Sequence, residues 1–189
     1  MTAGPLATIV GELRRCEIPH MLAGSFASSY HGDPRTTQDI DLVIDPAQDP
    51  LERFVQGLDA QRFYVSPEAA REAFERRGQF NVVMLDSGWK VELILRKDRP
   101  FSRSEFERRQ TAGIAGVEVP VASAEDTIVT KLEWARSGES ERQIRDVVGI
   151  LQMSGESLDR PYIERWVEEL GLGALWRRAL SDAGGTREG

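Results

Sequence analysis

Apolar residues recur at helical spacing at Leu6, Ile9, Val10, Leu13 and Cys16 behind Pro5, so the chain opens with an amphipathic helix. Met21-Leu22-Ala23 reads as a short buried strand, and Gly24-Ser25 as a sharp turn into a short helix. The pattern then alternates over Asp39-Ile40-Asp41-Leu42, the period of a strand with one acidic and one apolar face. Asp45-Pro46 stops that strand. Leu51 to Leu58 predicts a helix, Arg62 to Val65 a short strand, and Ser66-Pro67-Glu68 the cap of a helix running through Arg76. Two alternating runs, Phe80 to Leu85 and Trp89 to Leu95, flank Asp86-Ser87-Gly88 as a hairpin would, and Val117 to Val121 predicts the last strand.

From Ser123 onward the period is helical only. Ser123 with Asp126 has the form of a capping box ahead of Ile128, Val129, Leu132 and Trp134-Ala135. A second helix spans about 140–153 with Ile144, Val147, Val148 and Leu151 on its apolar face. A third starts at Leu158-Asp159 and carries Tyr162, Ile163, Trp166 and Val167; a last one covers 172–180. Trp134, Trp166 and Trp176 fall on apolar faces and are expected in the core. The expected fold class is therefore α+β: a small mixed β-sheet flanked by helices over residues 1–121, a helical subdomain packed on it over 122–182, and a disordered tail over 183–189.

A length of 189 residues supplies a sizeable core, and 40% hydrophobic with 29% charged residues is ordinary for a soluble protein. No apolar run approaches the roughly 20 residues that cross a bilayer, and the N-terminus has no signal-peptide pattern. The lone Cys16 forms no internal disulfide, which suits a cytoplasmic location. A net charge of −7 argues against a surface built for long nucleic acids. One basic cluster stands out: Arg96, Lys97, Arg99, Arg103, Arg108 and Arg109, readable as a solvated loop and helix or as a basic rim for phosphates.

The chemistry concentrates in two short motifs. Asp39 and Asp41, two apart on a strand, present carboxylates side by side, and such a pair calls for a hard cation, Mg²⁺ or Mn²⁺. Separated from Asp39 by thirteen residues, Gly24-Ser25 offers a hydroxyl and a backbone N–H to a phosphate. In Trp89-Lys90-Val91-Glu92-Leu93-Ile94-Leu95 the apolar positions alternate with Glu92, which places a third carboxylate on the polar face of another strand. The turn, its spacing and the third acid together resemble the polymerase-beta-like nucleotidyltransferase superfamily, whose third carboxylate is more often Asp. The resemblance implies a metal-dependent transfer of a nucleoside monophosphate from a nucleoside triphosphate (NTP) to a hydroxyl. It implies Asp39, Asp41 and Glu92 as catalytic metal ligands and Gly24 and Ser25 as nucleotide-binding residues.

The helical half is similar to bacterial nucleotidyltransferases of the abortive-infection and toxin type in Glu125-Asp126, Lys131-Leu132, and Ser140-Glu141-Arg142-Gln143 with Asp146. Lys131 is the expected ammonium for a β- or γ-phosphate, or else a surface lysine paired with Glu133 or Glu139. Arg142 and Asp146, four apart, have the spacing of a helix-surface pair. Arg35-Thr36-Thr37 is placed to steady the metal loop, and His31 reads as a loop histidine without a catalytic role. Expected partners are an NTP, an acceptor that is RNA, protein or a small molecule, and an antitoxin or a second copy of the chain, with no membrane. Two rival readings stay open: a catalytically weak or inactive member that binds nucleotide or protein as a regulator, and a glycosyltransferase using Asp-x-Asp, which this chain is short for. No Gly-x-x-x-x-Gly-Lys loop is present.

Overall fold

The computed structural model describes residues 4–34, 36–138 and 140–185, and the chain divides into two compact units. The first, Met1–Ser25 with Thr36–Val121, holds the sheet. Its strands are β1 (His20–Leu22), β2 (Asp39–Ile44), β3 (Phe63–Val65), β4 (Gln79–Met84), β5 (Lys90–Leu95), β6 (Gln110–Ile114) and β7 (Val117–Val121), in the order β3-β4-β5-β2-β1-β7-β6. β2 runs parallel to β5 and β1 parallel to β7, and the other neighbours are antiparallel, so the sheet is mixed as expected.

The apolar alternation decides which face of each strand is buried. Ile40, Leu42 and Ile44 of β2 and Val91, Leu93 and Leu95 of β5 are fully buried, with Phe80, Val82 and Met84 of β4 beside them. Helix α1 (Pro5–Arg15) adds Leu6, Ile9, Val10 and Leu13, and Cys16 follows it in the core. Burying an aliphatic side chain of this size contributes about 2 kcal/mol, which makes this stripe and the β2–β5 ridge the main apolar support of the unit. Helices α2 (Gly24–His31), α3 (Gln48–Gly57), α4 (Pro67–Arg76) and α5 (Pro100–Glu107) complete the first part of the chain. Ser66 caps α4 through the Ala69 amide, as its sequence implies.

β6 is an addition to the expected strands. Only Ala112 and Ile114 of Gln-Thr-Ala-Gly-Ile are buried, so the run carries little hydrophobic signal. Its hairpin to β7 turns at Ala115 (φ 49°) and Gly116 (φ 79°), where alanine replaces the Asn or Asp that usually marks such a turn.

The second unit, Phe26–Arg35 with Ala122–Gly189, is helical. It comprises α6 (Ala124–Ser137), α7 (Ser140–Ser154), α8 (Arg160–Glu169) and α9 (Gly173–Gly185). Ser123 and Asp159 cap α6 and α8. Trp166 and Trp176 are buried, but Trp134 is 43% exposed, because it lies off the stripe of Ile128, Lys131, Leu132 and Ala135 that α6 buries. Residues 183–185, expected as tail, continue α9, and 186–189 lie outside the described residues.

Both histidines are structural. His20 Nδ1–H donates to the Ile18 carbonyl, and His31 Nε2–H donates to the Ala122 carbonyl, each at under 3 Å (2.8 and 2.7 Å). Burial is the main cause that lowers both below the ordinary histidine value of 6.5. A base held neutral in the folded chain and protonated in the unfolded one makes stability fall as pH drops through 6.5. Urea unfolding between about pH 7.5 and about pH 5 should therefore show a falling midpoint, and the His20→Gln, His31→Gln double variant a flatter profile.

Candidate active site

The sheet unit holds five of the six expected site residues: Asp39, Asp41 and Glu92 on the second face of its central strands, and Gly24 and Ser25 at the turn that begins α2. β2 and β5 run in parallel register, with Asp39 opposite Lys90 and Asp41 opposite Glu92. Residues in register on neighbouring strands project to the same face, so Asp41 and Glu92 stand side by side with Asp39 two residues away. Asn81 of β4 is opposite Glu92 on the other side, and Gln79 Nε2 donates to Glu92 Oε1 at 2.7 Å. Lys90 Nζ is 3.9 Å from the same oxygen. The backbone of Asp39 is fixed by Thr37, whose Oγ1 accepts from the Asp39 amide at 3.1 Å. Thr37 thus steadies the acidic strand; Arg35 lies outside the described residues.

Gly24 explains the turn that faces these carboxylates. Its φ is +55°, and a Cβ there would lie 1.8 Å from Asp41 Oδ2, so both the backbone conformation and the space require glycine. The Ser25 amide donates to that same oxygen at 3.3 Å. In this state the turn orients Asp41.

Burial pushes the Glu92 carboxyl above its ordinary range, Lys90 opposes this, and the carboxylates of Asp41 and Asp39 push it further up. A row of acids that repel one another on a half-buried face has the donor chemistry of a hard divalent cation site. Among the described residues no three such side chains already converge as a metal cage. The fit is thus in donor type and placement on one face.

Lys131 belongs to the helical unit. It is buried, and its Nζ pairs with Asp146 Oδ2 at 2.7 Å, with side-chain exposures of 6% and 9%. It is a buried lysine rather than a surface one; Glu139, an expected alternative partner, lies outside the described residues, and among those described Asp146 does not pair with Arg142 as the four-residue spacing suggested. Ser28 Oγ donates to the same Asp146 oxygen at 3.2 Å. Asp126, also fully buried, accepts from Ser123 Oγ at 2.7 Å and from the Tyr162 hydroxyl at 2.5 Å. Asp146 and Ser28 carry no local signal of this role, because they meet only through tertiary packing.

Most of the basic cluster is occupied within the sheet unit. Arg96 pairs with Asp45 at 2.8 Å, Arg103 with Asp98 at 2.8 Å, and Arg99 donates to Ser102 at 2.9 Å. Arg109 stacks 4.1 Å from the Phe106 ring centre. These four guanidinium groups thus already have partners within the sheet unit.

Residues 19–170 match the family described as nucleotidyl transferase AbiEii toxin, type IV toxin–antitoxin system. The chain belongs to this family. It is thus a nucleotidyltransferase of the polymerase-beta-like superfamily. Solved structures agree on the fold. The antibiotic-resistance factor ANT(2'')-Ia in solution shares 16% identity over 97% of this chain and 96% of that one, at a TM-score of 0.57. The crystal structure of ANT(2'')-Ia with adenylyl-2''-tobramycin shares 17% over 92% and 95%, at 0.56. An antigenic nucleotidyltransferase-like protein from Paracoccidioides brasiliensis shares 19% over 93% and 88%, at 0.53. No curated protein matches the chain in sequence.

Two outcomes test this description of the nucleotidyltransferase. Gly24→Ala should cost at least about 1 kcal/mol in chemical denaturation, since a left-handed position and an occupied space are both violated. Lys131→Met should destabilise the protein by about 3 kcal/mol, because Asp146 is left buried and unpaired. Adding Asp146→Leu should recover a large part of that loss; a double variant as unstable as the single one would contradict the pairing.

Proposed function

We propose that the chain transfers a nucleoside monophosphate from an NTP to an acceptor hydroxyl, with Mg²⁺ or Mn²⁺ held by Asp39, Asp41 and Glu92. The observation that carries this reading is the register of Asp41 with Glu92 on one sheet face, beside a turn where only glycine fits. A bound divalent ion supplies neutralisation of the charge that develops on the attacking and leaving oxygens. Gly24 leaves room for Asp41 to stand at the turn, and the Ser25 amide and hydroxyl would be the phosphate donors beside the carboxylates that would hold the cation. Gln79 ties Glu92 Oε1, so Oε2 takes the proton of the acceptor hydroxyl. As that oxygen bonds to the α-phosphorus, the bond from phosphorus to the bridging oxygen breaks and pyrophosphate leaves. The raised proton affinity of Glu92 favours this acceptor role.

Lys131, held by Asp146 at 2.7 Å, is the phosphate contact of the helical unit in this reading. The acceptor is an RNA, a protein or a small molecule. The family supports an antitoxin as the regulating partner, and the lone Cys16 supports action in the reducing cytoplasm.

Calorimetry with a nonhydrolysable NTP and Mn²⁺ should show binding to the wild type and loss of at least about tenfold in the Asp39→Asn, Asp41→Asn variant. Glu92→Gln should keep nucleotide affinity within a few fold while transfer of α-label to host RNA, protein or small molecules disappears. Equal metal-nucleotide binding by wild type and the double variant would sink the proposed site.

A further inference from the structure

The motif Arg142-Gln143 with Asp146 has a second consequence inside the helical unit. Arg142, Arg145 and Gly149 are spaced by three and four, so they lie along one face of α7. Together with Ser28 and Asp33 they line a cavity of about 300 Å³. Gly149 lines its wall, and Gly32 packs against α7 next to it. A Cβ on Gly32 would lie 2.8 Å from the Ile150 backbone nitrogen, and one on Gly149 would lie 3.2 Å from Asp33 Oδ2. The loop after α2 therefore seats backbone against backbone on α7, which holds Asp33 at the rim of the cavity.

The charges around this cavity are unequal. Asp146 is neutralised by buried Lys131 and receives the Ser28 hydroxyl. Arg142 and Arg145 are exposed, and among the described residues neither has a hydrogen bond, an ion pair or a ring beneath it. Among the described lining residues the carboxylate of Asp33 alone stands against them, so the described lining keeps one positive charge in excess. Paired guanidinium forks match the oxygens of a phosphate, and an excess of one charge matches a phosphate ester of low charge better than a triphosphate.

We propose that the Arg142–Arg145 cavity is a phosphate-ester site of the helical unit. Its ligand is either one phosphodiester of a single-stranded nucleic acid or the phosphate of a small monoester. A single contact of this kind is compatible with the chain's net charge of −7, which opposes tracking along a long strand.

Fluorescence anisotropy with a labelled short oligoribonucleotide, and calorimetry with adenosine monophosphate, separate the two sources. Both are run with chelator present, which keeps cation-dependent binding at the sheet carboxylates out of the measurement. Arg142→Gln with Arg145→Gln should weaken one of the two ligands by about tenfold, and for the oligonucleotide should also lower the slope of log K against log salt by about 0.7. Loss confined to the oligonucleotide assigns a strand phosphodiester, and loss confined to the monophosphate assigns a small ester. Asp33→Asn should tighten the same ligand, a change of sign that structural damage does not produce. Unchanged affinity for both ligands in the arginine double variant, or no tightening in Asp33→Asn, overturns the proposal.

Discussion

The contact on which the site depends is the approach of Asp41 Oδ2 to the backbone of Gly24 and Ser25. It joins a turn to a strand sixteen residues later and leaves no room for any side chain at position 24. The register of β2 with β5 then places Glu92 beside Asp41. A slip of one residue on either strand would put the acids into the core and Ile40 or Val91 on the open face. The hydrophobic stripe that buries Ile40, Leu42, Val91 and Leu93 is therefore also what aims the carboxylates.

Burial first, and the neighbouring Asp41 and Asp39 after it, push the Glu92 carboxyl upward, so placing acids together on this face has an electrostatic cost. Gln79 and Lys90 offset part of it from the same sheet face. What remains is a sheet face whose carboxyl groups are held together by the fold against their own repulsion, the donor chemistry that suits a divalent cation. The helical unit solves a related problem differently. Its buried charges are paired internally, Lys131 with Asp146 and Asp126 with Ser123 and Tyr162, so they stabilise the bundle only as complete sets. Arg142 and Arg145 are the cations on α7 left to the solvent side.

The sequence was most legible where a local rule acts alone. Strand alternation marked β2, β4 and β5, and Ser66, Ser123 and Asp159 announced the helices they cap. The α+β class and the superfamily were readable because Gly24-Ser25, Asp39-Ile40-Asp41 and Glu92 carry chemistry in a short pattern. Legibility failed where burial depends on neighbours distant in the chain. β6 is a weak edge strand defined by its partner β7, and Trp134 sits beside an apolar stripe without joining it. Arg96, Arg99 and Arg103 allow either a solvated loop and helix or a basic rim in sequence, and the structure supplies Asp45, Ser102 and Asp98 as their partners.

By itself, then, the amino-acid order determined the elements, their capping, the family and the identity of the acidic residues, because each of these follows from spacing within about ten residues or from a signature motif. Tertiary structure alone decided that Asp41 pairs with Glu92 across parallel strands, that Gly24 is confined by a carboxylate, and that Lys131 is buried on Asp146. The physical reason is the same in each case. Register, close approach and charge pairing are energies between residues far apart in the chain, and they come into existence only when the backbone brings those residues within a few ångströms.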